Sequence, residues 1–509
     1  MTSTDSSFHT FVSQAETENF ARTLSLWAKP SLVIALTGDL GSGKSTFARA
    51  FIQALAKQDE VFDIPSPTFP IIQTYDNTRV PVAHVDLYRL TKREEIDDLG
   101  IIDLLSTHII LIEWPALIQS QLPLSTLFLK FSGQGDTRRI EMSKAGDWNA
   151  MLDRNALIEN FIARSQWKDA ARRFFEGDAS SRRYESLNIS KTKSLLMDMP
   201  KRPDGPAVKD GKPYSAIAHL AEGITAVIGI NTHLKQLGYS APMIDDVDIT
   251  NGIAIIEMLE GKVFSQMMRE GLDMNEPLAT AVELLADMAS KRWPNSVELE
   301  DGSYHTLAAY DTQAQLIEVD LLPSWFWPHI HGTKADAKLN QSFAEIWQAL
   351  LQKSHPKIPQ WVLRDYHSPN LIWINKRQGI ERIGLIDTQD AVMGHPAYDL
   401  ASLLQDARVD IDFDFAERLY QLYVQLRMAQ GSFDQDEFAK AYAILGAQRA
   451  TKILGIFARL NKRDNKPTYL KHMPRVSRYL SRNLEHPTLA PLKDWYKSHL
   501  PEALSLGML

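Results

Sequence analysis

The spacing of hydrophobic and polar positions predicts alternating helices and strands over roughly the first 145 residues. Apolar residues three and four positions apart favour a helix over residues 15–28, and after Pro30 the apolar run SLVIALTG predicts a fully buried strand. A second helix is predicted for TFARAFIQALA, and further strands for FPIIQTY, VAHVDLYR, THIILIEW and STLFLKFS. The order strand, loop, helix, strand is typical of an α/β sheet.

The pattern then changes, which predicts a second domain. ALIENFIARSQW favours a helix, YESLNIS and TKSLLMDMP favour two short strands, and KRPDGPAVKDGKP is a connection rich in Pro, Lys and Gly. Beyond it the chain is mostly helix-like, with strands expected only near IAIIEML, LIWIN and RIGLID. We therefore expect one domain over residues 1–148 and another over 154–509, with a small mixed lobe over about 154–259 and a helical lobe over about 260–509.

Length and composition agree with this organisation and exclude several classes of protein. The chain has 509 residues, enough for about two to four domains. Its 44% hydrophobic and 23% charged residues are typical of a globular protein, and its net charge of −8 argues against a surface built throughout to bind nucleic-acid phosphates. The absence of cysteine excludes disulfides, thiolate metal sites and cysteine nucleophiles. The polar N-terminal segment and the short apolar runs predict neither a signal peptide nor a membrane span, so we expect a cytoplasmic protein.

The segment GDLGSGKST, residues 38–46, matches the pattern G-x-x-x-x-G-K-[ST] of a phosphate-binding loop. The pattern places glycines at positions 38, 41 and 43, that is Gly38, Gly41 and Gly43. Backbone N–H groups there can wrap phosphate oxygens at the positive end of the following helix. Lys44 is expected to reach the β- and γ-phosphates, and the Ser45 hydroxyl to ligate Mg²⁺. A glycine-rich turn that matches by chance is the alternative, which the flanking strand and helix disfavour.

Two later segments supply the carboxylates that such a loop requires. VAHVDLYRL ends its apolar stretch at Asp86, and HIILIEWP places Glu113 and Trp114 at the end of another apolar run. Taken singly, each carboxylate is typical of a solvated loop, and Trp114 of a core. At the ends of strands that flank the strand of the phosphate loop, the three residues form a coherent ATPase site.

Residues 10–142 resemble the TsaE family, small ATPases of the tRNA threonylcarbamoyladenosine pathway. Four motifs carry the resemblance, in this order: GDLGSGKST, SPTF, HVDLYRL and EWP. The resemblance implies an α/β P-loop NTPase domain that uses ATP and Mg²⁺. It also implies partner proteins similar to TsaD and TsaB, with tRNA met only through those partners.

The same resemblance assigns roles to residues of this chain. It implies that nucleotide and Mg²⁺ are held by Lys44, Ser45 and Thr46. It further implies that Asp86 serves the metal ion and that Glu113 with Trp114 supports hydrolysis.

A second candidate site lies in the segment LRDYHSPN. Asp365 is followed five positions later by Asn370, the spacing of a kinase catalytic loop, and Arg364 keeps its R-D pair. Seventeen residues beyond Asn370, the predicted strand RIGLID ends at Asp387, where a protein kinase has the aspartate of D-F-G. The chemistry requires Asp365 to accept the proton of the acceptor hydroxyl, and Asn370 and Asp387 to hold Mg²⁺ on the phosphates.

The predicted small lobe departs from the protein-kinase pattern. GDASSRRY, residues 177–184, lies where a loop over the phosphates is expected but lacks G-x-G-x-x-G, and Met197 and Asp198 stand where the lysine of V-A-I-K would be. The adenine is expected at the backbone of residues 255–259. Phosphate binding could instead use two arginines, for which a solvated turn is an equal alternative: Arg182 and Arg183.

Residues 155–500 resemble the aminoglycoside phosphotransferase-like superfamily, and more closely the AmgK family of anomeric sugar kinases. The matching segments are GDASSRRY, LLMDMP, LRDYHSPNLIW, LIDTQDAVMGHPAYDLASLLQDAR and GAQRATKILGIFARL. That family phosphorylates the C1 hydroxyl of N-acetylmuramate and N-acetylglucosamine in cell-wall recycling, and it also has Met-Asp-x-Pro in place of the lysine strand. The resemblance implies an α+β bilobal protein-kinase-like domain that uses ATP and Mg²⁺ and an amino sugar substrate.

Substrate contacts are expected in the helical lobe, because a sugar amide and a lactyl carboxylate require hydrogen-bond donors. Arginine forks suit carboxylates, which makes Arg449 and Arg459 candidates. Trp325 and Trp327 could stack on a sugar ring. The alternatives are a helix-surface salt bridge for Arg449 and core packing for the two tryptophans. Asp399, which opens DLASLL, is expected to cap that helix or to anchor the catalytic loop.

The sequence thus predicts a bifunctional protein, with a TsaE-like ATPase followed by an AmgK-like sugar kinase. One alternative keeps the kinase but gives it another acceptor, an aminoglycoside or a choline-like alcohol. A second alternative makes the C-terminal half a non-catalytic docking or regulatory module for the tRNA-modification complex. The complete set of Asp365, Asn370 and Asp387 argues against the second, because a pseudo-enzyme has no chemical need for all three.

Overall fold

The computed structural model of the protein describes residues 6–57, 62–133, 137–143, 146–176, 182–201 and 205–506. The chain divides into two units, one up to Lys193 and one from Ser194. Among the described residues, no helix combines the length and the apolar character needed to cross a membrane. The boundary predicted between residues 148 and 154 lies inside a helix of the first unit and stays a prediction.

Among its described residues, the first unit contains nine strands and four α-helices. The strands are β1 (Ser6–Phe11), β2 (Val33–Thr37), β3 (Ile72–Tyr75), β4 (Val82–Asp86), β5 (Ile109–Glu113), β6 (Leu127–Ser132), β7 (Arg138–Ser143), β8 (Ala171–Phe175) and β9 (Arg183–Ile189). The helices are α1 (Gln14–Ser25), α2 (Lys44–Ala54), α3 (Glu94–Asp97) and α4 (Asp147–Arg164).

Seven of these strands form one sheet, in the order β1-β7-β6-β2-β5-β4-β3. β2 runs parallel to β5 and β6, and β4 runs parallel to β5, whereas the outer strands pair antiparallel. All residues of β4 and β5 are buried, which explains their largely apolar sequences. The predicted α/β sheet is therefore confirmed, while β1 and β7 were not predicted. The parallel register places Asp86 beside Glu113 at the same sheet edge.

Helix α4 and the hairpin β8–β9 continue the first unit beyond this sheet. Trp148 of α4 is fully buried and belongs to the core of the sheet domain. Further along the same helix, Asn155 Oδ1 accepts hydrogen bonds from Trp27 Nε1 at 3.3 Å and from Arg172 Nη2 at 3.0 Å. The Arg79 guanidinium lies 3.9 Å from the ring centre of Phe174 on β8. Residues before and after the predicted boundary thus share contacts within one unit.

The second unit begins within β10 and contains most of the helices. Its strands are β10 (Thr192–Asp198), β11 (Ala207–Lys209), β12 (Lys212–Pro213), β13 (Ile244–Asp248), β14 (Ile253–Glu257), β15 (Lys262–Val263), β16 (Ser296–Glu298), β17 (Tyr304–Thr306), β18 (Gln360–Val362), β19 (Leu371–Trp373), β20 (Ile383–Leu385) and β21 (Val392–Gly394). Its helices are α5 (Tyr214–Ile217), α6 (Ile224–Gln236), α7 (Phe264–Arg269), α8 (Asn275–Ser290), α9 (Thr312–Val319), α10 (Trp327–His331), α11 (Ala337–Gln352), α12 (Ala397–Leu404), α13 (Phe413–Ala429), α14 (Gln435–Asp464), α15 (Met473–Asn483), α16 (Ala490–His499) and α17 (Glu502–Ser505).

Short strands position the second candidate site between helices. β14 pairs antiparallel with β10 and β13, and β19 pairs antiparallel with β15 and β20. The predicted strands at IAIIEML, LIWIN and RIGLID are confirmed, but the expectation that they were the only ones was wrong. The additional strands are two to five residues long, too short for a hydrophobic period to reveal.

Helix α14 connects two apolar clusters of the second unit. It contributes Phe438 and Leu445 to one cluster and Ile444 and Leu454 to the other. Its start is capped by Asp434, whose side chain accepts a hydrogen bond from the Glu437 N–H at 3.0 Å. The length of α14 brings polar residues of its middle turns into the buried interior.

Candidate active sites

Residues 38–43 form the loop that connects β2 to α2, and residues 44–46 form the first turn of α2, as the motif predicted. Gly38 has φ +132°, and a Cβ there would lie 2.2 Å from the carbonyl oxygen of Phe131, so only glycine fits. Gly43, with φ +107°, stands at the start of α2. Gly41 lies between them in the left-handed region, at φ +75°. These conformations let the loop backbone turn sharply in front of the helix N-terminus, where anions bind.

Lys44 lies folded back over this loop. Its Nζ donates hydrogen bonds to the carbonyl oxygens of Gly38 at 2.8 Å and Asp39 at 2.9 Å. It also lies 4.1 Å from the ring centre of Trp114. Burial lowers the pKa of Lys44, and the carboxylates of Glu113, Asp86 and Asp39 oppose that shift.

One of the predicted carboxylates, Glu113, lies beside Ser45. The Ser45 hydroxyl donates to Glu113 Oε2 at 3.1 Å, and His84 Nε2 lies 3.1 Å from Glu113 Oε1. Asp86 Oδ2 accepts a hydrogen bond from the Thr68 hydroxyl at 2.9 Å. Glu113 is thus hydrogen-bonded to Ser45 and paired with His84, a residue that was not assigned to the site from the sequence, whereas Asp86 lies beside Glu113 in the sheet and bonds to Thr68.

Two remaining residues of the first site complete its surroundings. Trp114 follows β5 with φ 61°, and its ring centre lies 5.0 Å from that of Tyr88. Thr46 is half-buried in the first turn of α2. Trp114 thus contacts both Tyr88 and the ammonium group of Lys44.

Asp399 anchors the catalytic-loop segment of the second unit through hydrogen bonds. Asp399 Oδ2 accepts the Leu363 N–H at 2.6 Å, and its Oδ1 accepts the Arg364 N–H at 2.9 Å. Burial raises the pKa of Asp399 to about 7, while those two N–H groups oppose the shift. The predicted anchor is confirmed, whereas the predicted cap was wrong because Pro396 occupies the N-cap of α12.

The three predicted phosphotransfer residues line one small cavity. Asp365, Asn370 and Asp387 all contribute to it, together with hydrophobic residues of β19 and β20. The Asn370 side-chain amide donates to the carbonyl oxygen of Asp365 at 3.0 Å, which fixes the two residues relative to each other. Asp387 follows β20 with φ 62°. A larger cavity of about 600 Å³, beside the first turn of α6, contains none of the three.

Asp365 stands among positive charges. Burial acts to raise its pKa, but the charges of His367, Lys452, Arg449 and Arg364 outweigh burial and lower it. His367 Nε2 lies 3.8 Å from Asp365 Oδ1. The Asp365 side chain is 39% exposed and is therefore accessible.

A buried ionic group supports this loop. Glu318 of α9 is fully buried and pairs with Arg364 through Oε1, which also accepts a hydrogen bond from Lys452 Nζ at 2.7 Å. Its Oε2 accepts hydrogen bonds from Gln448 Nε2 at 2.9 Å and from the Tyr310 hydroxyl. Although burial acts to raise it, the two cations lower the pKa of Glu318 to about 2. Sequence reasoning missed Glu318, because its partners lie 46 and 134 residues away.

We expect Glu318→Gln to destabilise the second unit by about 3–5 kcal/mol, because removing one partner from a buried ionic group leaves two cations without compensation. Glutamine keeps the size of the side chain, so the variant isolates the charge. Urea unfolding followed by tryptophan fluorescence measures the effect. Glu485→Gln is the matched control, because Glu485 forms an exposed pair with Lys493 at 2.6 Å and should leave the unfolding midpoint unchanged. Equal midpoints for both variants would contradict the prediction.

The remaining predicted residues of the second site lie in varied surroundings. Arg183 pairs with Glu185 and lies 3.6 Å from the ring centre of Trp27, so its role in phosphate binding stays a prediction, as does that of Arg182. The preceding residues 177–181 lie outside the described residues. Trp325 and Trp327 are half-buried and pack against the apolar cluster that includes Leu454, as the core alternative expected.

Arg449 is buried, with 6% of its surface exposed. The expected alternative of a helix-surface salt bridge was therefore wrong. Arg459 lies 5.4 Å from the ring centre of Tyr214. The adenine segment 255–259 comprises the end of β14 and the residues after it.

The chain thus has a glycine-rich phosphate-binding loop in its first unit and a kinase-like phosphotransfer site in its second. The family model of the threonylcarbamoyl adenosine biosynthesis protein TsaE matches residues 11–140. That of the phosphotransferase enzyme family, APH, matches residues 173–436. The chain therefore belongs to the phosphotransferase enzyme family, with a TsaE-family domain before it, and its second part has the kinase-like fold of that family.

Curated relatives match each part separately. The chain is 32% identical over 358 residues to the N-acetylmuramate/N-acetylglucosamine kinase of Caulobacter vibrioides, which covers 69% of this chain and 97% of that protein. The kinase of the same name from Neisseria meningitidis is 30% identical, with coverage of 63% and 87%. The tRNA threonylcarbamoyladenosine biosynthesis protein TsaE of Rickettsia bellii is 38% identical over 128 residues, covering 25% of this chain and 88% of that protein.

Proposed function

We propose that the chain is a bifunctional enzyme with two ATP-dependent halves. The first half hydrolyses ATP in support of tRNA threonylcarbamoyladenosine formation. The second transfers the γ-phosphate of ATP to the anomeric hydroxyl of N-acetylmuramate and N-acetylglucosamine. The observation that carries the second assignment is the single cavity lined by Asp365, Asn370 and Asp387, in a chain that spans 97% of a relative with this kinase name.

In the first half, the residues fit a P-loop NTPase site for ATP with Mg²⁺. The Ser45 hydroxyl and the Asp86 carboxylate are oxygen donors of the kind Mg²⁺ takes when phosphates and water complete its shell. The metal would neutralise charge on the phosphates. Lys44 would bind phosphate oxygens in place of the loop carbonyls, and Glu113, oriented by His84, would position the attacking water.

In the second half, Asp365 acts as the base for the sugar hydroxyl. Its lowered pKa keeps it ionised near neutral pH, so it can accept the proton as the hydroxyl oxygen attacks the γ-phosphorus and ADP leaves. Asn370 and Asp387 would hold Mg²⁺.

For the first half we propose partner proteins similar to TsaD and TsaB. The family match and the Rickettsia bellii relative support this proposal. Transfer RNA would then be met through the partners, which agrees with the net charge of −8. We propose that the protein works in the cytoplasm, where ATP and tRNA are both available.

The test of the kinase assignment is the chemical identity of the product. The full chain is incubated with ATP, Mg²⁺ and N-acetylmuramate, and the product is analysed by mass spectrometry and by phosphorus–proton coupling in NMR. We expect one phosphate per sugar, attached to C1. Phosphate on another hydroxyl, or none on either sugar, would contradict the assignment.

Parallel reactions separate the alternatives. The relatives favour the sugar kinase and give no support to an aminoglycoside, a choline-like alcohol or a non-catalytic module. A panel with labelled ATP and kanamycin, choline or N-acetylglucosamine should show phosphorylation of the sugar alone. Transfer to kanamycin or choline at a comparable rate would favour the other acceptors, and no transfer at all would favour the module.

A further inference from the structure

Arg449 on α14 is a buried arginine for which the described part of the chain provides no partner. It is 6% exposed, and its buried Nε has no hydrogen-bond partner among the described residues. Burying a guanidinium without an acceptor is costly, so such an arrangement needs an explanation. The neighbouring polar residues of the same helix differ, because Gln448 and Lys452 both bond to Glu318. Arg449 therefore differs from these helix neighbours, which do have an acceptor.

This guanidinium acts on the catalytic loop. Its charge is among those that lower the pKa of Asp365, and it also acts on His367, which lies 3.8 Å from Asp365. Two further buried atoms of the loop, His367 Nδ1 and the Ser368 hydroxyl, have no hydrogen-bond partner among the described residues. Unpartnered polar groups thus accumulate next to Asp365, which is where an acceptor molecule would lie.

Arg449 lies outside the small cavity that Asp365, Asn370 and Asp387 line. Its neighbours on α14, Gln448 and Lys452, reach the catalytic loop through Glu318, which pairs with Arg364. The middle of α14 therefore borders the loop that carries Asp365. A planar guanidinium forms paired hydrogen bonds with a carboxylate, and such bonds are the strong ones between protein and ligand.

We propose that Arg449, with the adjacent loop groups of His367 and Ser368, forms a carboxylate subsite that recognises the lactyl group of N-acetylmuramate and favours it over N-acetylglucosamine. This inference rests on the proposed kinase function. The two sugars share the anomeric hydroxyl that Asp365 serves, and they differ in the carboxylate-bearing ether at C3. The subsite therefore sets specificity and leaves the chemical step to Asp365.

The test compares the two sugars in the full-length protein. We expect Arg449→Gln to raise the KM for N-acetylmuramate about 10- to 100-fold, the effect of losing a charged pair of hydrogen bonds, with kcat changed by less than about threefold. The KM for N-acetylglucosamine should change by less than about threefold. Arg449→Lys keeps the charge without the fork and should fall between. Arg463→Gln, an exposed arginine of the same helix, is the matched control and should change neither KM.

A substrate change tests the same contact without altering the fold. N-acetylmuramate with its carboxylate converted to an amide should show a raised KM with the unmodified protein, and Arg449→Gln should add little to that rise. Additive effects of the two changes would overturn the subsite, and so would an equal rise in KM for both sugars. If the unmodified protein phosphorylates neither sugar, the proposed function fails, which is a separate result from failure of the subsite.

Discussion

Asp365→Asn should lower sugar phosphorylation by about 10²–10⁴-fold, the contribution of a positioned general base. Asparagine keeps the size of the side chain but cannot accept the proton of the anomeric hydroxyl. The carbonyl oxygen of Asp365 that Asn370 contacts belongs to the backbone, so the loop geometry should persist. Initial rates with N-acetylmuramate measure the loss, and ATP hydrolysis by the first half should be unchanged in the same preparation.

Asp410→Asn is the control for this variant. Asp410 pairs with Arg475 and Arg478, and its side chain is 66% exposed. It should leave both activities intact. Equal loss of kinase and ATPase activity in Asp365→Asn would contradict the existence of two independent sites.

Lys44→Ala should lower ATP hydrolysis by the first half at least about 10²-fold, because it removes a positive charge from developing charge on the phosphates. Lys44 is buried beneath Trp114, where such a charge is poorly screened by water. Phosphate release in the absence of sugar measures the effect. Sugar phosphorylation should continue at its usual rate, which makes this variant the reciprocal of Asp365→Asn.

Lys130→Ala provides the comparison for Lys44→Ala. Lys130 lies on β6 of the same sheet, and its side chain is 67% exposed. The Lys130 variant should hydrolyse ATP at the normal rate. Hydrolysis that persists in Lys44→Ala but disappears in Asp365→Asn would show that the kinase half is the source of the ATPase activity.

The fold could be predicted where the local pattern has a single explanation. The strands β2, β4 and β5 are buried almost throughout and largely apolar, and their order along the chain indicates a parallel sheet. β7 could not be predicted in this way, because its residues RRIEMS carry three charges and depend on pairing with β1 and β6 for their conformation. The strand conformation of β7 therefore depends on tertiary pairing, which local propensity does not reveal.

The sites divide in the same way. Five residues were predictable as members of a candidate site because phosphate chemistry fixes their types and spacing, although their roles stay predictions: Lys44, Ser45, Asp365, Asn370 and Asp387. Glu318 was not, since an isolated glutamate within the helix TQAQLIEV has no local signal for distant cationic partners. Its full burial emerges only when α9, α14 and the catalytic loop are brought together by the fold.

The contacts around α4 decide how the two halves can be studied separately. A cut at residue 146 would remove Trp148 and Leu152 from the core of the sheet domain. A cut after Lys193 would keep that core. It would, however, separate β8 and β9 from the rest of the segment that matches the phosphotransferase family, which begins at residue 173. Either fragment pair therefore loses native structure on one side. Point variants that silence one site at a time in the intact chain are the sound way to assign each activity.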